Sequence, residues 1–142
     1  MAGLALRSPL LAASGCAGRE LDVLDPGVLA RLGAVVTRSI TLDPRIGAEP
    51  PRLVESASGL LQATGYPNPG LAGFLAQELP GLARAGARVI PSILGADVDD
   101  LVELARGLGA DPGVAAVELH LRAPDAEDRK STRLNSSHRC IS

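Results

Sequence analysis

Residues 88–121 read RVIPSILGADVDDLVELARGLGADPGVAAVELHL, and the fold class turns on them. The first run, 88–94, is apolar and β-branched and predicts a buried strand, although its internal Pro91 sits uneasily in one. Asp97 is a helix cap. After it Val98, Leu101, Val102, Ala105 and Leu108 recur at helical spacing and define a core face, and Gly109 closes the helix. Residues 114–121, VAAVELHL, form a second apolar run. Strand, helix and strand in this order predict a parallel sheet covered by helices.

The same alternation continues towards the N-terminus. Asn68-Pro69 starts a helix with Leu71, Phe74, Leu75, Leu79 and Leu82 on one face, and Pro80 should kink or end it. Residues 34–37, AVVT, are a buried strand. Asp25-Pro26 caps a helix carrying Val28, Leu29 and Leu32, which Gly33 stops. Residues 9–13, PLLAA, form a first short strand that turns at Ser14-Gly15. A long connection from Ser39 to Asn68, with Pro44, Pro50, Pro51 and Pro67 and then Pro69, should be largely non-helical. Its apolar middle argues against disorder. Four strands and three helical connections fit either an open doubly wound sheet or a barrel. No GxGxxG follows the first strand, so the dinucleotide fingerprint is absent. A (β/α)₈ barrel needs about 250 residues, so on that reading residues 1–127 are an N-terminal half whose strand edges are left unpaired.

Composition narrows the function classes. The chain has 142 residues, 46% hydrophobic and 21% charged, with a formal net charge of -2. One Phe, one Tyr and no Trp leave little to stack on nucleic acid bases, and no basic field is evident. No stretch approaches the roughly 18 apolar residues of a membrane span. The start is only weakly like a signal peptide, because Pro9 breaks the apolar run. Two cysteines make no disulfide framework, and a cytoplasmic protein is expected.

Residues 128–142, DRKSTRLNSSHRCIS, break the pattern. Residues 1–127 hold ten Arg and no Lys against fifteen acids, a net of -5, whereas the last fifteen carry four basic residues and one acid. Eleven consecutive residues, DRKSTRLNSSH, resemble the forward translation of a common sequencing adapter. A non-native tail is expected, in which His138 and Cys140 carry no function.

Strand ends of an α/β fold supply the working residues. They are Ser14 and Gly15, Arg38 and Ser39, Ser92 and Gly95, and His120 to Ala123, with Ser58-Gly59 and Gln62 to Tyr66 added by the long loop. Small residues and hydroxyls suit a flat ring lying against backbone. Arg38, expected to be buried at a strand end, could hold an anion or a structural carboxylate. His120 reads either as a hydrogen-bonded core histidine or as a catalyst. Cys16 reads as a small buried residue. No metal-ligand spacing exists, and no Ser-His-Asp set can be assigned.

These positions carry a resemblance. SPLLAASGCAG, LGAVVTRSITLDPRIGAEPPRLVESASGLLQATGYPNPG, ELPGLARAG and GVAAVELHLRAPD, in this order, resemble the N-terminal half of class 1 dihydroorotate dehydrogenases, most nearly the NAD-linked type. The segments TLDPRIG-x-x-PPR-x-x-E-x-x-SG and G-x-x-NPG are the specific ones. The resemblance implies an FMN-binding (β/α)₈ barrel in the cytoplasm that oxidises dihydroorotate to orotate in pyrimidine biosynthesis. A base takes the C5 proton and flavin N5 takes the C6 hydride. It implies flavin contacts at Ala13, Ser14, Arg38, Ser39, Ser92 and His120. Substrate contacts fall at Arg38, Gln62, Ala63, Thr64, Gly65, Tyr66 and His120. A homodimer and an iron-sulfur flavoprotein electron-transfer subunit are the implied partners.

The departures matter as much. The family has Lys where Arg38 stands, Asn where Gln62, Ser92 and His120 stand, and its catalytic Cys where Ala123 stands. A methyl group accepts no proton, and a general base is worth about 10²–10⁴-fold. His120 is the available substitute, on a different geometry. The alternative is therefore a catalytically silent or substrate-shifted flavin-binding paralogue, and the fragment by itself is expected to be inactive.

Overall fold

The structure, a computed structural model, describes residues 3–16 and 26–121. Strand β1 (Leu11–Ala12) leads to helix α1 (Pro26–Arg31) and strand β2 (Ala34–Ile40). A hairpin of β3 (Leu53–Ser56) and β4 (Gly59–Gln62) follows. Then come helix α2 (Gly70–Gly73), a π-helical turn (Phe74–Glu78), α3 (Leu79–Arg84), β5 (Val89–Ile93), α4 (Val98–Gly109) and β6 (Glu118–Leu119). Strands β1, β2, β5 and β6 form one parallel sheet in that order. The expected mixed α/β class with a parallel sheet is what the chain adopts. The cap expected at Asp25 and the tail from 128 lie outside the described residues.

The two faces of the sheet follow from strand alternation. Val35, Ile40, Val89 and Ile93 pack against Leu29 of α1, Phe74, Leu79 and Leu82 of the central helical run, and Leu104 and Leu108 of α4. Ala34, Val36 and Ile90 point the other way and gather Leu4, Leu6 and Ala116. The N-terminal segment that supplies Leu4 and Leu6 is tied down by arginines. Arg7 Nη1 donates to the Ala30 carbonyl at 2.7 Å, and the Arg88 guanidinium donates to the Ala5 carbonyl.

The buried strand expected at 88–94 is present as β5, a central strand in which Pro91 is fully buried, and other expectations are corrected. The register between β2 and β5 shifts between Val36 and Ser39. Pro91 lacks its N–H on the side facing β6, where the Val89 and Ile93 carbonyls accept from the Ala115 and His120 N–H groups, and that pairing lapses between the Val89–Val114 bridge and Ser92–Glu118. Pro80 does not end its helix. The π-helical turn immediately before it widens the backbone where the ring would otherwise meet the preceding carbonyls, and the helix runs on to Arg84. The core face of α4 is turned from the predicted one. Val98 and Val102 are exposed while Leu104 is fully buried, so the stripe is Leu101, Leu104, Ala105 and Leu108. The long connection holds a β-hairpin whose Leu53, Val54, Leu60 and Leu61 are exposed. Cys16 is exposed rather than buried, because the turn that bears it lies beyond the two-residue strand β1. No helix among the described residues is long and apolar enough to cross a membrane.

Candidate functional site

The C-terminal ends of the parallel strands open onto one cleft of about 650 Å³. Ser14 and Gly15 enter it from the turn after β1. Arg38 and Ser39 enter from β2, Ser92 from β5, and Glu118 to Leu121 from β6 and the residues after it. Gln62, Thr64, Tyr66 and Pro67 complete the wall from the long connection.

Strand β2 runs on through Ile40, so Arg38 is not at its end. It is also exposed, where burial was expected. The bulge between Val36 and Ser39 explains both, because the extra residue turns the guanidinium out of the pleat. Ser39 follows it back into the buried layer. Its Oγ lies 2.7 Å from His120 Nδ1 and 3.4 Å from Ser92 Oγ. His120 is half-buried just past β6, where its backbone N–H donates to the Ile93 carbonyl at 2.9 Å. The Tyr66 ring meets the imidazole edge-on, with centroids 5.3 Å apart and planes at 81°. Three adjacent strands thus deliver two hydroxyls and an imidazole to one point.

Asn68 ties the long connection to this point. Its Oδ1 accepts from the backbone N–H of Gly70 at 2.9 Å and of Thr41 at 3.2 Å. Its Nδ2 donates to the Tyr66 carbonyl at 2.9 Å and to Thr41 Oγ1 at 3.0 Å. The Thr41 hydroxyl spends its own proton on the Asp43 carbonyl at 2.6 Å. One buried amide therefore fixes Tyr66, a non-glycine residue at φ 54, beside the cleft. Sequence reading took Asn68 for a helix start alone.

The structure does not bring every predicted residue to the cleft. Ala13 is not among the residues that line it, and its carbonyl accepts from the Cys16 N–H in the turn. Ala63 donates its N–H to the Arg52 carbonyl, and Gly65 packs where a Cβ would lie 2.4 Å from Ala48 N. Ser58-Gly59 sits at the hairpin turn, and Gly95 beneath the start of α4. Ala123 and Arg122 lie outside the described residues. Glu118, Leu119 and Pro67 are cleft residues that sequence reading did not select, and Glu118 had no signal beyond its place in a strand.

The sequence profile described as dihydroorotate dehydrogenase matches residues 1–139. Three similar proteins each bear the name dihydroorotate dehydrogenase B (NAD(+)), catalytic subunit. That of Listeria welshimeri is 39% identical over 125 residues, covering 88% of this chain and 41% of the relative. That of Endomicrobium trichonymphae is 40% identical over 128 residues, covering 90% and 42%. That of Desulforudis audaxviator is 41% identical over 127 residues, covering 89% and 41%. The chain spans about two fifths of the length of these relatives, and it belongs to the dihydroorotate dehydrogenase family.

Proposed function

We propose that this chain is the N-terminal part of an FMN-dependent oxidoreductase that converts dihydroorotate to orotate. The observation that carries the proposal is the meeting of Ser39, Ser92 and His120 from three neighbouring parallel strands in one cleft, with Arg38 beside them. Residues 1–127 are the first half of a (β/α)₈ barrel, and residues 128–142 are a non-native tail. The sequential strand order supports a barrel over a doubly wound sheet, since right-handed crossovers between successive strands keep the helices on one face.

The cleft suits FMN on three counts. Its volume falls within the roughly 300–1,000 Å³ of cofactor sites. At Gly15 an added Cβ would meet nothing within 4 Å, so backbone there offers a flat, open surface. Arg38 supplies a positive charge for the N1/O2 edge. Ala13, Ser14, Arg38, Ser39, Ser92 and His120 hold the ring, with Ala13 acting through its backbone. When bound, FMN supplies the hydride acceptor at N5.

Arg38, Gln62, Thr64, Tyr66 and His120 bind and orient the substrate, an anion that Arg38 attracts, while Ala63 and Gly65 pack behind the segment and hold its shape. The hairpin and the segment that follows it wall off one side from water. Removal of the C5 proton is the weak step, because Ala123 offers a methyl where a base is needed. The role left to His120 depends on which ring nitrogen carries its proton. A separate electron-transfer subunit, a homodimeric assembly and a cytoplasmic location go with this reading.

The test is anaerobic addition of dihydroorotate to the full-length flavoprotein that contains this segment. The flavin absorbance should bleach, with kinetics slowed by the missing base. Retained FMN that never bleaches would refute the assignment to dihydroorotate.

A further inference from the structure

We propose that His120 is held as its Nε2–H tautomer and presents that N–H to the cleft as a donor for a carbonyl or carboxylate oxygen of the bound ligand. Ser39 is the positioning residue that sets the tautomer. The proposal deepens the reading above and rests on it for the ligand, although the tautomer follows from the protein alone.

The argument is a proton count. Ser92 Oγ, Ser39 Oγ and His120 Nδ1 form a chain with two contacts, at 3.4 and 2.7 Å. Ser92 is 1% exposed and Ser39 8%. No other hydrogen bond of either hydroxyl is formed among the described residues, where every buried side-chain nitrogen and oxygen has a partner. Two hydroxyl protons fill two contacts when Ser92 donates to Ser39 and Ser39 donates to Nδ1. A proton on Nδ1 would make three protons for two contacts. One hydroxyl would then have no acceptor among the described residues and would depend on a group in the cleft that both serines line.

A ring that accepts at Nδ1 carries its proton on Nε2. Nδ1 is spent on Ser39 and the ring lines the cleft, so Nε2 is the nitrogen left for a ligand. The edge-on Tyr66 ring holds the imidazole plane. The neutral ring therefore offers a donor and no lone pair at Nε2. This sets aside the expectation that His120 substitutes for the missing base, and makes it a ligand-orienting group. An oxygen acceptor is the partner such a group selects; a ring N–H or an amine would face it donor to donor.

Nitrogen-15 NMR of the histidine-labelled full-length flavoprotein that contains this segment tests this, with His120→Gln identifying the His120 signals. The expected result is the Nε2–H coupling pattern in excess of about tenfold over the other tautomer, matching the low end of the cost of an unmet buried hydroxyl. Ser39→Ala should bring the two tautomers to within about threefold, and Ser39→Thr should restore the native pattern. An Nδ1–H pattern in the native chain overturns the proposal, as does a Ser39→Ala spectrum unchanged from native. If Ser39→Ala does not fold, Ser92→Ala replaces it and should likewise weaken the preference, because Ser39 can then donate or accept. Orotate should shift the Nε2–H resonance. A resonance unmoved by orotate with the tautomer as stated counts against the dihydroorotate reading alone, whereas the wrong tautomer counts against the present proposal alone.

Discussion

Replacing Asn68 with Ala removes a side chain that joins the residue after β2, the segment bearing Tyr66 and the start of α2. Asn68 is 7% exposed, so water does not fill its place freely. The change strips the Gly70 N–H of a 2.9 Å acceptor in a buried setting. It also strips the Thr41 N–H and the Tyr66 carbonyl, both half-buried. The first loss costs about 1–3 kcal/mol, and the two others, partly healed by water, about 0.5–1 kcal/mol each. Asn68→Ala should therefore lower stability by about 2–5 kcal/mol. Asn68→Asp keeps the acceptor for Gly70 and Thr41 but loses the donor to Tyr66, and should fall between the two. Urea denaturation measures the totals, and amide exchange at Gly70 and Thr41 localises them. A loss under about 0.5 kcal/mol for Ala, or equal losses for Ala and Asp, would refute the reasoning.

Other outcomes follow from particular contacts. Leu104→Ala should cost about 2–5 kcal/mol in a denaturation midpoint analysis, because the side chain is fully buried. Val102→Ala, on the exposed flank of the same helix, should stay within about 0.5 kcal/mol. Gly70→Ala should destabilise by about 1–3 kcal/mol or more. It forces a side chain onto φ +72 with its Cβ 2.8 Å from Pro44 N, and thermal melting reads the change. Ala123→Cys in the full-length flavoprotein should raise the rate of flavin reduction by dihydroorotate by about 10²–10⁴-fold in stopped-flow absorbance, the usual worth of a general base.

The sheet was legible because its signals are local. Val35, Val36, Val89 and Ile90 sit in short β-branched runs, and Asp97 caps α4 through a 2.9 Å bond to the Asp100 N–H. What was not legible depends on partners distant in sequence. The hairpin turns at Ser58-Gly59, but its apolar residues stay exposed on both strands, so no alternation of buried and exposed positions marked them as strands. The fit of Pro91 needs the lapse in pairing with the segment that leads into β6, which lies beyond α4 in the sequence. The face of α4 was misjudged because Val98 and Val102 are apolar yet lie beyond the reach of the sheet. Arg38, Ser39, Ser92 and His120 were singled out because strand ends are where α/β folds put their chemistry, and the structure gathers them around one cleft. The proton chain among them was invisible, since it depends on side-chain distances across three strands.

A crystal structure of the full-length protein grown with FMN tests the central claim most directly. The account predicts the isoalloxazine ring in the cleft, bordered by Ser14, Arg38, Ser39, Ser92 and His120, with an oxygen acceptor at His120 Nε2. A ring bound elsewhere, with this cleft filled by side chains of the same chain, would contradict it.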